Sequence, residues 1–89
     1  MGIIEIRENI DKIDQQILEL LNARMQQALL VRKFKEKTED KTREQEVLKK
    51  VALRGRSISN PDSLLDPAFI EKLYRIIIEE SKRIQDASV

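Results

Sequence analysis

Ile6, Ile10, Ile13, Ile17, Leu20, Arg24, Ala28, Val31 and Lys35 succeed one another by threes and fours, the spacing of one face of an α-helix. At about 100° per residue they fall within roughly 40° of a common line. The period predicts a first helix from about Ile4 to Lys37, up to roughly 50 Å long at 1.5 Å per residue. No Pro or Gly interrupts it after Gly2. Glu36 to Thr42 is polar and aperiodic and reads as a mobile connection, with Asp40 or Thr42 placed to cap the next helix. That second helix is expected from about Arg43 to Leu53, with Val47, Leu48 and Val51 inward and Glu44 one turn earlier on the same stripe. Gly55 is its expected terminator. The stretch from Gly55 to Pro67 holds both prolines with Ser57, Ser59, Asn60, Asp62 and Ser63, which is turn chemistry. Asp66 before Pro67 is an N-cap with Pro at the first helical position. It opens a third helix of about Pro67 to Asp86, with Ile70, Leu73, Ile77, Ser81 and Ile84 on one face. Tyr74, Ile78, Ser81 and Gln85 also share helical spacing, so a hydroxyl and an amide face inward where Leu or Ile is expected.

Composition agrees with an all-α fold: 37% of the 89 residues are charged, 3% aromatic, and only two are Gly and two Pro. The length fits a single domain over residues 1–89. Two short helices cannot cover a 50 Å stripe, a length that comes from about 1.5 Å per residue. A homodimer pairing the long helices supplies the missing cover. Seventeen basic against sixteen acidic residues leave a net charge of +1, so no overall field favours nucleic acid or an anionic membrane. The absence of Cys and His removes disulfides, thiolate chemistry, the usual zinc ligands and any imidazole base, and nothing suggests a metal or organic cofactor. The first ten residues are too charged for a signal peptide, and no run of about 18 apolar residues occurs, so a cytoplasmic protein is expected.

The stripe of the first helix carries two cations. Arg24 lies between Leu20 and Ala28 along it, so its escape to solvent is awkward, and a buried unpaired charge costs roughly several kcal/mol. It needs an anion, either a side chain or a ligand. Glu44 would serve if Arg24 is structural, and Lys35 near a helix end would by itself be a snorkelling surface lysine. Ser81 would bond back to a helix carbonyl, Gln85 would belong to a fraying last turn, and Arg7 would pair with Asp11 four residues on. Taken jointly, the inward polar residues form a set: Arg24 and Lys35, then Asp40, Arg43 and Glu44, then Ser81 and Gln85. Arg7 joins them only if another protomer brings it. Such a pocket suits a small dicarboxylate bearing a hydroxyl, and suits neither a metal nor a nucleic acid.

These residues resemble the all-helical, AroQ-class chorismate mutases over nearly the whole chain. The marks are IREN leading into IDKIDQQILELLNAR, with Arg7 and Arg24 seventeen apart; VRKFK ending in Lys35; DKTRE, with Asp40, Arg43 and Glu44; and IIIEESKRIQ, with Ser81 and Gln85 four apart. The connection from Lys35 to Asp40 is shorter than the family's and lacks its usual Pro or Gly. The resemblance implies a three-helix subunit, a dimer interlaced through the first helix, and a site that borrows Arg7 from the partner. It implies rearrangement of chorismate to prephenate in aromatic amino acid biosynthesis, which needs no proton transfer, nucleophile or cofactor. Arg7, Arg24 and Arg43 would clamp the two carboxylates with help from Ser81. Lys35 and Gln85 would donate to the ether oxygen, and Asp40 and Glu44 would accept from the ring hydroxyl or orient the cations. An isochorismate-pyruvate lyase, or a helical dimerisation or regulatory module without activity, is the alternative.

Overall fold

The computed structural model describes residues 2–34, 40–58 and 64–87, and the side chains among them except those of 56–58. Among these residues there are three helices and no strand: α1 (Ile3–Arg32), α2 (Lys41–Ile58) and α3 (Pro67–Ala87). The chain measures 52 × 25 × 16 Å, the long dimension being set by α1.

The starts of α2 and α3 are set by their capping residues. The Arg43 amide donates to Asp40 Oδ1 at 3.0 Å and the Glu44 amide to the Asp40 carbonyl at 3.0 Å, so Asp40 caps α2. The Ala68 amide donates to Asp66 Oδ1 at 3.2 Å and the Ile70 amide to the Asp66 carbonyl at 3.0 Å. Pro67 gives up no hydrogen bond at the first position of α3, where its amide would have had no helical partner.

The end of α1 and both ends of α2 depart from the periodicity. The helical pattern runs on to Lys37, yet α1 ends at Arg32. The Lys33 and Phe34 amides turn back to the Leu30 and Val31 carbonyls, a tightened closing turn that stops the helix. Of the connection expected from Glu36 to Thr42, Asp40 is the cap of α2 and Lys41 and Thr42 are its first residues, ahead of the expected start at Arg43; Lys35 and residues 36–39 lie outside the described residues. Gly55 does not end α2, which continues to Ile58. It is buried inside the helix without the positive φ of a terminator, and a Cβ there would collide with the Ile70 side chain of α3. Its role is to let α3 approach the α2 backbone closely.

The third helix is the centre of the fold, packed against both α1 and α2, whose backbones do not approach each other among the described residues. Among the described residues Ile70 and Ile77 are the buried apolar side chains, and Ser81 and Gln85 continue the same buried face. Leu73, expected inward, is 39% exposed, on the flank of that face. No residue of α1 is buried, and Ile3, Ile6, Ile10, Ile13, Ile17 and Leu20 along it are between 44% and 71% exposed. The apolar stripe read from the sequence is therefore largely uncovered by its own chain. Among the described residues no helix is long and apolar enough to cross a membrane.

The Gly55 contact sets a stability test. Gly55→Leu should lower stability by about 1–3 kcal/mol through overpacking against Ile70. Gly55→Ala should be close to neutral, because a helix-propensity gain of about 1 kcal/mol offsets a small shift of the Ile70 terminal methyl. Urea unfolding monitored by circular dichroism at fixed protein concentration measures both; equal effects from the two variants would show that Ile70 does not limit the space.

Candidate active site

A cavity of about 260 Å³ lies between the end of α1, the start of α2 and the end of α3. Each helix supplies polar groups to it, because each apolar stripe turns polar at the end that meets the others. Arg24 comes from α1; Asp40, Arg43 and Glu44 from the first turn of α2 and its cap; Ser81, Lys82 and Gln85 from α3. Ala28, Val31, Val47 and Ile78 form the apolar part of the wall.

Arg24 Nη1 donates to Ser81 Oγ at 3.0 Å, and its guanidinium lies 5.9 Å from the centroid of the Tyr74 ring. Among the described residues it contacts no carboxylate: Glu44, the side-chain anion that would have made Arg24 a structural ion-pair member, is bound elsewhere. Ser81 is buried and donates to the Ile77 carbonyl at 2.9 Å, with Met25 Sδ 3.4 Å from its oxygen. The back-bond expected of a helical serine thus forms, and leaves the hydroxyl oxygen to accept from Arg24. Gln85 is 4% exposed, far from a fraying turn, and its Nε2 donates to the Ala28 carbonyl at 2.8 Å. This bond ties the end of α3 to α1 and fixes the amide at the cavity wall.

At the α2 side, Glu44 Oε1 is shut off from solvent and lies 2.7 Å from Lys82 Nζ, an ion pair between helices. Lys82 also meets Glu79 at 3.0 Å. The Glu44 carboxylate first, then that of Glu79, holds the Lys82 ammonium protonated well above the ordinary lysine range. Arg43 Nη1 reaches Glu46 Oε2 at 3.4 Å on the exposed side of α2. Asp40 lines the cavity while one of its oxygens caps the helix.

Seven of the eight residues expected in the site are described, and six of those, from Arg24 to Gln85, line this cavity. Arg7 does not: it is exposed near the start of α1, seventeen residues or roughly 25 Å from Arg24 along the helix. It forms no pair with Asp11 among the described residues. Lys35 lies outside the described residues. Lys82 and Gln27 also line the cavity and are not among the residues expected there. Spacing carries a signal for both, since Lys82 stands four residues after the inward Ile78 and Gln27 three after Arg24. Among the described residues no three Asp or Glu side chains cluster where they could hold a metal ion.

The arrangement offers cations, buried neutral donors and a shielded carboxylate and, among the described residues, no nucleophile paired with a base. It can bind and electrostatically stabilise an anionic, hydroxyl-bearing molecule. No curated protein and no solved structure matches the chain. A family model described as chorismate mutase type II matches residues 6–86, a span that takes in Arg7 and reaches past Gln85. The chain belongs to the chorismate mutase type II family and is an isomerase that converts chorismate to prephenate.

Proposed function

We propose that chorismate binds in the cavity at Arg24, Glu44, Ser81 and Gln85, and that two copies of the chain complete two sites by exchanging Arg7. The observation that carries this reading is Arg24: a half-buried guanidinium whose contacts are a neutral hydroxyl and an aromatic ring, with no carboxylate among the described residues. Leaving a cation without a counter-ion in a cleft disfavours the empty state, and an incoming carboxylate relieves it. The cavity, about 260 Å³, is near the small end of ligand sites, which span roughly 300–1,000 Å³, and suits a compact dianion.

The rearrangement breaks an ether C–O bond and forms a C–C bond within one molecule, with charge separating as the ether opens. The protein holds the substrate folded and meets the developing charge. Arg24 and Arg43, with Arg7 of the partner subunit, clamp the carboxylates, and Ser81 holds the Arg24 guanidinium in place. Gln85, its amide anchored by the Ala28 carbonyl, and Lys35 donate to the ether oxygen. Glu44 accepts from the ring hydroxyl. Asp40 orders the start of α2, so that Arg43 and Glu44 face the substrate. Even a millionfold acceleration requires about 8 kcal/mol of transition-state stabilisation. Lys35 and Gln85 supply the part specific to the transition state, because the ether oxygen gains charge only there.

Dimerisation is supported by the apolar face of α1, exposed from Ile3 to Leu20. Two such helices packed antiparallel cover each other's stripes and bring each Arg7 toward the partner's cavity. The dimer acts as a soluble cytoplasmic enzyme of aromatic amino acid biosynthesis.

Mixing the purified protein with chorismate, without metal or cofactor, should deplete the diene absorbance and yield prephenate. Lys35→Ala should reduce kcat by at least about a hundredfold with the helical spectrum unchanged, the scale of losing a donor aimed at developing charge. Retention of most activity would remove Lys35 from the site. Ile13→Glu should shift the chain toward monomer in sedimentation and abolish turnover together; an active monomer would sink the shared site. Arg7→Ala and Arg24→Ala, each inactive, should regain part of the activity when mixed, since a hybrid dimer restores one intact site. Subunit exchange without recovery would refute the exchange of Arg7.

A further inference from the structure

Glu44 is an anomaly in a cavity that receives a dianion: a carboxylate placed among the groups meant to attract carboxylates. Its position is fixed by Lys82, 2.7 Å away, and the two side chains are only 22% and 19% exposed. Lys82 in turn is held from the other side by Glu79 at 3.0 Å, one turn earlier on α3. The ammonium therefore sits between a carboxylate at the cavity wall and one that is 73% exposed. This cross-helix pair joins α2 to α3 at the cavity wall, where the two helices pack.

We infer that Lys82 is a positioning residue for the rearrangement: it holds the Glu44 carboxylate at the cavity wall and offsets its charge, so that the site admits a dianion while keeping an acceptor for the ring hydroxyl. This rests on the reading that Glu44 lines the chorismate site. Other charged groups near Glu44 do not replace Lys82. Arg24 of α1 is engaged by Ser81, Arg43 of α2 by Glu46, and Arg75 of α3 by Glu71 at 2.7 Å. Asp40 and Glu79 carry the same sign as Glu44 and add to the repulsion. With Lys82 gone, the half-buried Glu44 carboxylate repels the substrate in the ground and transition states alike. Such a loss appears in KM more than in kcat. It also shrinks at low pH, because an unpaired, partly buried carboxyl binds a proton more readily and its repulsion vanishes when it does so.

The test compares Lys82→Met, Lys82→Arg, Glu44→Gln and the Glu44→Gln/Lys82→Met double variant, measuring kcat and KM for chorismate from about pH 5 to pH 8, a range spanning the titration of a raised carboxyl, with circular dichroism as the check on folding. In K82M, KM at the alkaline end should rise by about tenfold, with kcat changed by less, and the penalty should fall toward the acid end. K82R, which keeps the charge, should recover most of the loss. In the double variant KM should stay within about two- to threefold of E44Q alone, the non-additivity expected when one residue acts through the other. Additive effects, or a K82M penalty independent of pH, would overturn the proposal and make Lys82 an independent contact. An E44Q enzyme with unchanged constants would overturn it by a different route, by removing Glu44 itself from the site. Should K82M fail to fold, Lys82→Gln and the double variant, which leaves no orphaned charge, carry the same comparison.

Discussion

The hydrogen bond from Arg24 to Ser81 governs how this small chain is put together. It joins α1 to α3 at the point where the packed face of α3 changes from Ile70 and Ile77 to Ser81 and Gln85. Leu or Ile at Ser81 and Gln85 would extend the core toward the end of the helices and close the cavity. The hydroxyl and the amide keep it open while still being satisfied by α1, one by the Arg24 guanidinium and the other by the Ala28 carbonyl. Apolar burial is thereby exchanged for a polar seam of individually modest bonds, roughly 1 kcal/mol each for neutral pairs and more where a charge takes part. The half-buried guanidinium remains the least satisfied member, so an anion that reaches it binds the folded state selectively and stabilises it.

The seam meets α1 at Arg24 and Ala28 and leaves the length before them uncovered. With Ile70 and Ile77 the buried apolar side chains among the described residues, one chain has little core of its own. The exposed isoleucines from Ile3 to Ile17 are the reserve on which a second copy would draw. In a paired assembly the same helix would serve association with its first half and the site with its second. The chemistry would then be tied to assembly through one continuous, unkinked element, since α1 runs from Ile3 to Arg32 without Pro or an internal Gly.

Helical period makes most of the polar wall of the cavity legible in the sequence. Arg24, Ser81 and Gln85 stand out because each is a polar residue at a position where helical spacing demands an apolar one, and the three helices converge on them. Asp66 with Pro67 is legible because capping is local chemistry, and so is Asp40, although its cap and its place at the cavity are two roles in one carboxylate. Gly55 misleads because a glycine after an amphipathic run commonly ends a helix, whereas here it answers to Ile70 on another element, a contact that no local pattern contains. The end of α1 is overextended by the period for a related reason: spacing continues through Lys35, while the closing turn depends on which carbonyls the Lys33 and Phe34 amides find. Lys82 escapes notice because a lysine on a charge-rich helix is ordinarily solvated. What distinguishes it is the Glu44 carboxylate of α2, which only the packing of the two helices brings within reach.

The charge balance of the cavity connects these threads. The described part of its wall holds three cations, Arg24, Arg43 and Lys82, against two carboxylates, Asp40 and Glu44. Lys82 is taken up by Glu44 and Arg43 leans on Glu46, so among the described residues of the wall Arg24 alone presents a charge not already engaged by an anion. One such cation is too little for a dianion, whose second carboxylate would be desolvated without compensation. The deficit matches what Lys35 and a neighbour's Arg7 would bring. On that reading a single chain would supply the orienting groups, Ser81 and Gln85, which are already satisfied within it, and one attracting cation, Arg24. The rest of the attraction would depend on the segment after Arg32 and on the exposed start of another α1.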